Sequence, residues 1–155
     1  MEETRRPWAL VLAAGDGSRL RALTTKPCGS AVPKQFCSLH GGQSLIEDAF
    51  DRASSVTDAA HVATIVAWQH RQWWSEIERV THLSPGNVIV QPRNRGTAIG
   101  VLYSLLQIQL RDPHARVLLL PADHYVRDEA ALREALLESL ARTSRDARPV
   151  LIGIE

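Results

Sequence analysis

Residues suited to handling phosphate groups fall at four places along the chain. The first is Leu12-Ala13-Ala14-Gly15-Asp16-Gly17-Ser18-Arg19-Leu20, directly after an apolar run. Two glycines let backbone approach a ligand and turn N–H groups toward phosphate oxygens. Ser18 adds a hydroxyl donor, and the planar Arg19 fork matches a phosphate. Taken alone, the same residues also describe an ordinary tight turn with a solvated arginine. The second place is Val32-Pro33-Lys34-Gln35-Phe36. Lys34 is a mobile point charge, and Phe36 can anchor the segment in a core. The third is Gln91-Pro92-Arg93-Asn94-Arg95-Gly96-Thr97-Ala98, where a strand passes into a helix whose first N–H groups attract anions. Gln91 both donates and accepts, so its amide can pair with a base edge. The fourth is Leu118-Leu119-Leu120-Pro121-Ala122-Asp123-His124, an apolar strand that delivers one carboxylate at its end. Mg²⁺ in nucleotide sites is often held by one or two carboxylates plus phosphate oxygens. A capping or turn aspartate reads the same way in isolation, and His124 can orient Asp123, touch substrate or do neither.

Two familiar phosphate loops are excluded. The P-loop requires G-x-x-x-x-G-K-[ST], and no lysine follows the glycines here. The dinucleotide fingerprint requires a third glycine where Leu20 stands, and an acidic residue at the end of a second strand that instead closes on Trp68-Gln69.

The elements that must position these groups alternate. Continuous apolar runs at Trp8–Ala14, His61–Trp68, Asn87–Gln91, Arg116–Leu120 and Val150–Ile154 suit strands buried on both faces of a parallel sheet. Between them lie helical patterns. Ser44-Leu45-Ile46-Glu47 reads as a capping box, followed by Ile46, Ala49, Phe50 and Ala53 on one face. Trp73, Ile77 and Val80 recur at helical spacing, and the Trp73-Trp74 pair reads as helix packing rather than a sugar-stacking platform. Residues Thr97–Leu110 are apolar nearly all round, which predicts a buried helix stopping before Pro113. Asp128 can cap a helix with a Leu132, Leu136, Leu140 stripe. The order β-α-β-α-β-α-β-α-β implies an α/β fold of three layers, α/β/α, with a mostly parallel sheet. Ligands in such sheets bind beyond the carboxyl ends of the strands. One connection, Gly15 to Gln43, shows no helical pattern and is long enough to be functional.

Composition narrows the classes. A chain of 155 residues is of one-domain length, and 45% hydrophobic with 23% charged residues fits a globular protein with a core. Eighteen Lys+Arg against seventeen Asp+Glu leave a net charge of +1, which argues against nucleic-acid binding through bulk positive charge. No apolar run is long enough to span a bilayer, and Met1–Pro7 lacks the apolar core of a secretory signal. Cys28 and Cys37 are too few for a disulfide framework and lack CxxC spacing, so a cytoplasmic setting is expected.

Together, the four clusters resemble the sugar-1-phosphate nucleotidyltransferase family. LAAGDGSRL resembles its signature L-A-[AG]-G-x-G-[ST]-R-L. PKQF and PADH are most similar to the mannose-1-phosphate guanylyltransferase branch. QPRNRGTA resembles both that branch's E-P-x-x-R-N-T-A and the Q-x-x-x-x-G-T-A of uridylyl- and thymidylyltransferases. The resemblance runs in order from Trp8 to Glu155, and implies a Rossmann-like, glycosyltransferase-A-like nucleotidyltransferase fold. It implies that Gly15, Gly17 and Ser18 wrap the nucleotide's triphosphate, and that Ala13 and Ala14 also belong to the nucleotide-binding residues. Arg19 and Lys34 would be catalytic, Arg19 at the pyrophosphate leaving group and Lys34 at the reacting phosphate. Gln91, Gly96 and Thr97 would lie at base and ribose, and Asp123 would ligate Mg²⁺. Asp16 occupies the signature's variable position and is assigned no role.

Two departures stand out. Gln91 replaces the glutamate that opens the guanylyltransferase motif, and one amide suits uracil or thymine better than guanine's paired donors. The run Thr24–Ala31 is longer than the usual segment before PKQF. The resemblance implies a nucleoside triphosphate and a sugar-1-phosphate as partners, with GTP and mannose-1-phosphate preferred. Alternatives are glucose-1-phosphate with UTP or dTTP, and a nucleotide-binding module without turnover. Family members continue past Glu155 into a half that supplies the sugar pocket and a second acidic metal ligand. The chain therefore reads as the N-terminal, nucleotide-binding part of such a domain, incomplete for turnover and expected to associate through its exposed apolar surface.

Overall fold

The computed structural model describes residues 6–15, 17, 21–25, 32–39, 41–75, 77, 83–144 and 148–153. Four parallel strands form the sheet: β1 (Trp8–Leu12), β2 (Val62–Ala67), β3 (Val88–Gln91) and β4 (Val117–Pro121), in the order β3-β2-β1-β4. Register runs Ala9↔Val62 and Leu12↔Ile65 on one side of β1, and Trp8↔Val117 and Leu12↔Pro121 on the other. Thr64↔Val88 and Ala67↔Gln91 join β2 to β3. The continuous apolar runs have the anticipated cause. All of β2, and β1 from Trp8 to Val11, are buried, and alternate residues feed two different cores.

Helix α1 (Arg21–Thr24) is a single turn, and Lys34–Phe36 forms a 3₁₀ turn. Helix α2 (Leu45–Ser54) opens at Ser44, whose N–H and Oγ both donate to Glu47 Oε2 at 2.7 Å. This satisfies one of the helix's orphan donors, as the capping-box pattern anticipated. Helix α3 (Thr97–Arg111) follows β3, and helix α4 (Glu129–Thr143) follows β4. The Asp128 side chain accepts from the Ala131 N–H at the start of α4.

The three layers follow from the two cores. Ile46, Ala49, Phe50 and Ala53 of α2 and Leu136 of α4 pack with Ala9, Val11 and Ala13 on one face. On the other face, Ile108 of α3 packs with Trp8, Leu10, Ala63, Ile65 and Ile89. Phe36 is buried in the first core, so the segment carrying Lys34 is anchored as expected. Trp73 stacks on Phe36 at 6.4 Å, a packing role.

Three expectations need correction or a boundary. Helix α3 stops at Arg111, before Pro113, but it is not buried all round. Gly100, Ser104 and Ile108 face the sheet, while Ile99, Leu102, Tyr103, Leu106 and Leu110 are exposed. Apolar composition marked the helix correctly, but one sheet face can cover only one stripe of it. Residues 150–153 form no strand. Ile152 touches the core while Leu151 is 95% exposed, so the run contributes one anchor without entering the ladder. Residues 74, 75 and 77 are helical, as the Trp73–Ile77 spacing predicts, whereas Val80 lies outside the described residues. Among the described residues, no helix is long and apolar enough to cross a membrane.

Strand order fixes where a ligand can enter. From β1 the chain winds outward through β2 to β3, then returns to place β4 on the other side of β1. The direction of winding thus reverses between β1 and β4, and a crevice opens beyond their carboxyl ends.

Candidate functional site

That crevice is a cavity of about 280 Å³. Each strand contributes to it from its carboxyl end. Leu12 ends β1 and Ala14, Gly15 and Gly17 follow it, Ile65 comes from β2 and Gln91 from β3, and Pro121 and Asp123 close the β4 side. Gly96, Thr97, Gly100 and Val101 bring the first turns of α3 to the same wall. A larger cleft of about 330 Å³ lies between α2 and α4, but it is lined by helix residues rather than by strand ends.

At one end of the cavity, Lys34 Nζ lies 3.3 Å from Asp123 Oδ2. Two segments far apart in the chain thereby place a cation and a carboxylate together beside the glycine turn. Gly17 makes this approach possible. Its φ is +60°, and a Cβ there would stand 3.1 Å from both Lys34 N and Lys34 Cβ. A side chain would be strained by backbone conformation and crowded by the lysine's own backbone. Gln35, the next residue, is buried. Its Nε2 donates to the Ala13 carbonyl at 2.9 Å and the Gly15 carbonyl at 3.0 Å. These bonds cover two carbonyl oxygens that would otherwise face the crevice with negative charge. Ala13 itself lies beneath the cavity floor, its N–H bonded to Ile65 O and its side chain in the core.

The opposite end is built differently. Gln91 is 4% exposed, and its Nε2 has no hydrogen-bond partner among the described residues. A buried amide donor left without a partner is costly, and this one belongs to a residue that lines the cavity. Gly100 of α3 makes room for it. A Cβ there would stand 3.3 Å from Ile65 Cδ1 and 3.8–3.9 Å from the Gln91 amide atoms. Between the two ends, Asn94 Oδ1 accepts from the Gly96 N–H at 2.9 Å. This turn sets the entry to α3, whose first N–H groups have no acceptor within the helix.

One cavity therefore receives Ala14, Gly15, Gly17, Gln91, Gly96, Thr97 and Asp123, with Lys34 bonded to the last. Ser18 and Arg19 lie outside the described residues, as does Asp16. His124 Nε2 is 3.8 Å from Asp123 Oδ1, too far for a hydrogen bond. Gln35 and Asn94 were not singled out from sequence. Gln35 sat inside a quoted motif, but its long-range partners leave no mark on spacing. Asn94 had a legible signal, an asparagine two residues before a glycine.

Comparison with known proteins identifies the family and agrees with the fold. A family model described as nucleotidyl transferase matches residues 8–154. The chain belongs to that family. It is 30% identical over 147 residues to the xanthan biosynthesis protein XanB of Xanthomonas campestris pv. campestris, covering 94% of this chain and 30% of that protein. It is 32% identical over 139 residues to a mannose-1-phosphate guanylyltransferase of Salmonella montevideo, covering 90% and 26%. The solved structure titled mannose-1-phosphate geranyltransferase, from Thermus thermophilus, superposes with a TM-score of 0.73 at 29% identity, over 90% of this chain and 38% of that one. The chain thus spans about a third or less of the length of the curated relatives it matches.

Proposed function

We propose that the chain is the nucleotide-binding part of a sugar-1-phosphate nucleotidyltransferase, which joins a nucleoside triphosphate and a sugar-1-phosphate into a nucleoside-diphosphate sugar and pyrophosphate. The observation that carries this reading is the single cavity at the β1/β4 reversal, with Lys34 and Asp123 at one end and the unpartnered Gln91 amide at the other. A charged end and a base-sized amide end, spanned by glycine backbone and a helix start, are what a nucleotide requires.

In the reaction, an oxygen of the sugar-1-phosphate attacks the α-phosphorus in line. The bond between that phosphorus and the bridging oxygen to the β-phosphate breaks, and pyrophosphate leaves with the electron pair. The attacking oxygen is already anionic at neutral pH, so no general base is needed. The protein must hold two repelling anions together and place positive charge where it is needed most in the transition state. Lys34 serves the reacting phosphate, and Arg19 the leaving pyrophosphate. Gly15, Gly17 and Ser18 surround the triphosphate, while Gly96 and Thr97 support the ribose.

A divalent ion fits the donor set in a specific way. Among the described residues, no three His, Cys, Asp or Glu side chains form a closed cage. Asp123 is half-exposed at the cavity wall, which suits a hard cation that takes its remaining ligands from phosphate oxygens and water. When bound, Mg²⁺ supplies charge neutralisation along the triphosphate.

GTP and mannose-1-phosphate are the preferred substrates, supported by PKQF, PADH and the relatives named above. The Gln91 amide favours a second reading, UTP or dTTP with glucose-1-phosphate, because it offers one donor group and one acceptor. Calorimetry with GTP, UTP and dTTP, each with Mg²⁺, separates the two. A pyrophosphate-release assay on this chain, and on one extended at its carboxyl end, separates both from a module that binds without turnover. Failure of all three nucleotides to bind would overturn the proposal.

A further inference from the structure

We propose that Arg52 is a positioning residue that fixes the Asp123 carboxylate from the opposite side of its loop. The inference rests on the reading of Asp123 as the metal-holding acid.

Arg52 lies on α2, outside the cavity, and is 6% exposed. Its guanidinium serves two acceptors at once. Nε lies 3.0 Å from each Glu129 carboxylate oxygen, and Nη2 lies 2.7 Å from Oε1. Nη1 donates to the carbonyl of His124 at 3.1 Å. Glu129 opens α4, and His124 directly follows Asp123. One rigid planar group therefore ties both ends of the connection between β4 and α4.

The other side of Asp123 is fixed too. The Ala122 N–H donates to Leu12 O at 3.2 Å, which extends the β1–β4 pairing one step past Pro121. Asp123 is thus held between a residue bonded to the sheet and a residue bonded to Arg52. Its own side chain stays half-exposed and reaches Lys34. Among the described residues, the Asp123 carboxylate accepts a single long hydrogen bond, from Lys34, so much of its placement rests on the backbone on either side of it.

Packing alone does not explain the arrangement. An apolar side chain of similar volume would fill the same space between α2 and α4, and an ion pair whose acid is half-exposed adds little stability by itself. Only a planar fork reaches a carboxylate and a carbonyl in different directions. Lysine's three donors radiate from one atom and lack the fixed spread of the guanidinium plane.

The test uses the full chain, Mn²⁺ as probe and GTP or whichever nucleotide binds best. Mn²⁺ affinity of the nucleotide-saturated protein is read by electron paramagnetic resonance. Nucleotide affinity in EDTA and the melting temperature are measured beside it. R52M, R52K and E129Q are compared with D123N and with L136A, which destabilises the same helix from the core. Arg52→Met, Arg52→Lys and Glu129→Gln are each expected to weaken Mn²⁺ about ten-fold, the usual cost of removing support behind a metal ligand. Nucleotide affinity in EDTA should stay within about two-fold, and Leu136→Ala should leave Mn²⁺ binding unchanged. Because Glu129 is half-exposed, Glu129→Gln carries the test if Arg52 variants fail to fold. Unchanged Mn²⁺ affinity in the folded Arg52 and Glu129 variants, with a clear loss in Asp123→Asn, would overturn the positioning role alone. An equal loss in Leu136→Ala would do the same, assigning the effect to general destabilisation. Unchanged Mn²⁺ affinity in Asp123→Asn would instead overturn the metal reading on which it rests.

Discussion

The two ends of the cavity solve different problems. At the Lys34–Asp123 end, charged groups of opposite sign meet part-buried at the cavity wall, and neutral or remote side chains hold the backbone around them. Gln35 covers the carbonyls of Ala13 and Gly15, and Arg52 grips the loop behind Asp123. At the Gln91 end, one neutral amide is buried, its donor is unpaired, and shape is set by the missing side chain of Gly100. Exposed charges are cheap to keep hydrated and can swap partners when a ligand arrives. A buried amide cannot rehydrate, so it discriminates among acceptors by leaving itself or its ligand unsatisfied. In the function proposed above, the first end serves rate and the second serves choice.

Breaking the first end should have the largest effect. Asp123→Ala and Lys34→Ala should each reduce pyrophosphate release by a chain competent for turnover about 10²–10³-fold, the cost typical of losing one preorganised charge-stabilising group. Both side chains are partly exposed, so melting temperature should hardly move. Near-normal rates in either variant would remove that residue from the mechanism and leave the contrast without its first member.

The second end is sharpened by Gln91→Glu. A carboxylate accepts twice and donates nothing, which suits the N1–H and N2–H₂ edge of guanine and offends uracil or thymine. The ratio of GTP to UTP affinity should rise at least about ten-fold, the scale of one unsatisfied buried polar group. Calorimetry on wild type and variant reads this directly. An unchanged ratio would place the base elsewhere.

Gly100→Ala probes the same end more gently. In a helix interior the change favours folding by about 1 kcal/mol. Here it brings a Cβ to 3.3 Å from Ile65 Cδ1, the end of a flexible side chain, and toward the Gln91 amide. Stability should change by less than about 1 kcal/mol while base affinity falls roughly three-fold. The metal response of the first end should be untouched. A variant that binds all nucleotides as wild type does would show that close approach of α3 is not what shapes the base end.

The two ends also differ in how legible they were. Strand ends and helix starts are local properties, so the apolar runs beginning at Trp8, His61, Asn87 and Arg116 mark the four strands, each start at most one residue early. A parallel sheet puts ligands at their carboxyl ends, while the strand order is seen only in the structure. Gln91 ends a strand, Gly96 and Thr97 open the helix that follows it, and Asp123 lies just past another strand, so all four could be placed at the carboxyl ends of the sheet. The supports were harder to see. Gln35 reaches back to Ala13, and Arg52 reaches forward to Glu129, across intervals that no periodicity encodes. Burial of α3 was overread for a related reason. Composition reports how apolar a helix is, not how many of its sides find a neighbour. At Val150–Gly153 the same limit appears in a strand pattern, since apolarity alone cannot bring a backbone into register.

The smallest expected effect lies at the far edge of the sheet and serves as a control on both ends. Asp58 accepts a hydrogen bond from His61 and pairs with Arg6 just before β2. The His61 hydrogen bond, chiefly, holds its carboxyl below the usual carboxylate range, against the opposing effect of burial, with the His61 charge and the Arg6 hydrogen bond and charge adding to it. A carboxyl depressed on folding adds stability above its unfolded value, and that stability is lost as pH falls through the folded one. Asp58→Asn should therefore cost less than about 1 kcal/mol at neutral pH, as exposed pairs do. The gap between wild type and variant should close as the solution is acidified below about pH 4, where the unfolded aspartate protonates. Denaturant midpoints taken from about pH 7 to about pH 3 measure this. Nucleotide and Mn²⁺ affinities should be the same in both proteins, because Asp58 sits at the amino edge of the strands and the cavity opens at the carboxyl edge. A change in either affinity would mean that the ends of the cavity respond to overall stability, and that the contrast between them is not local.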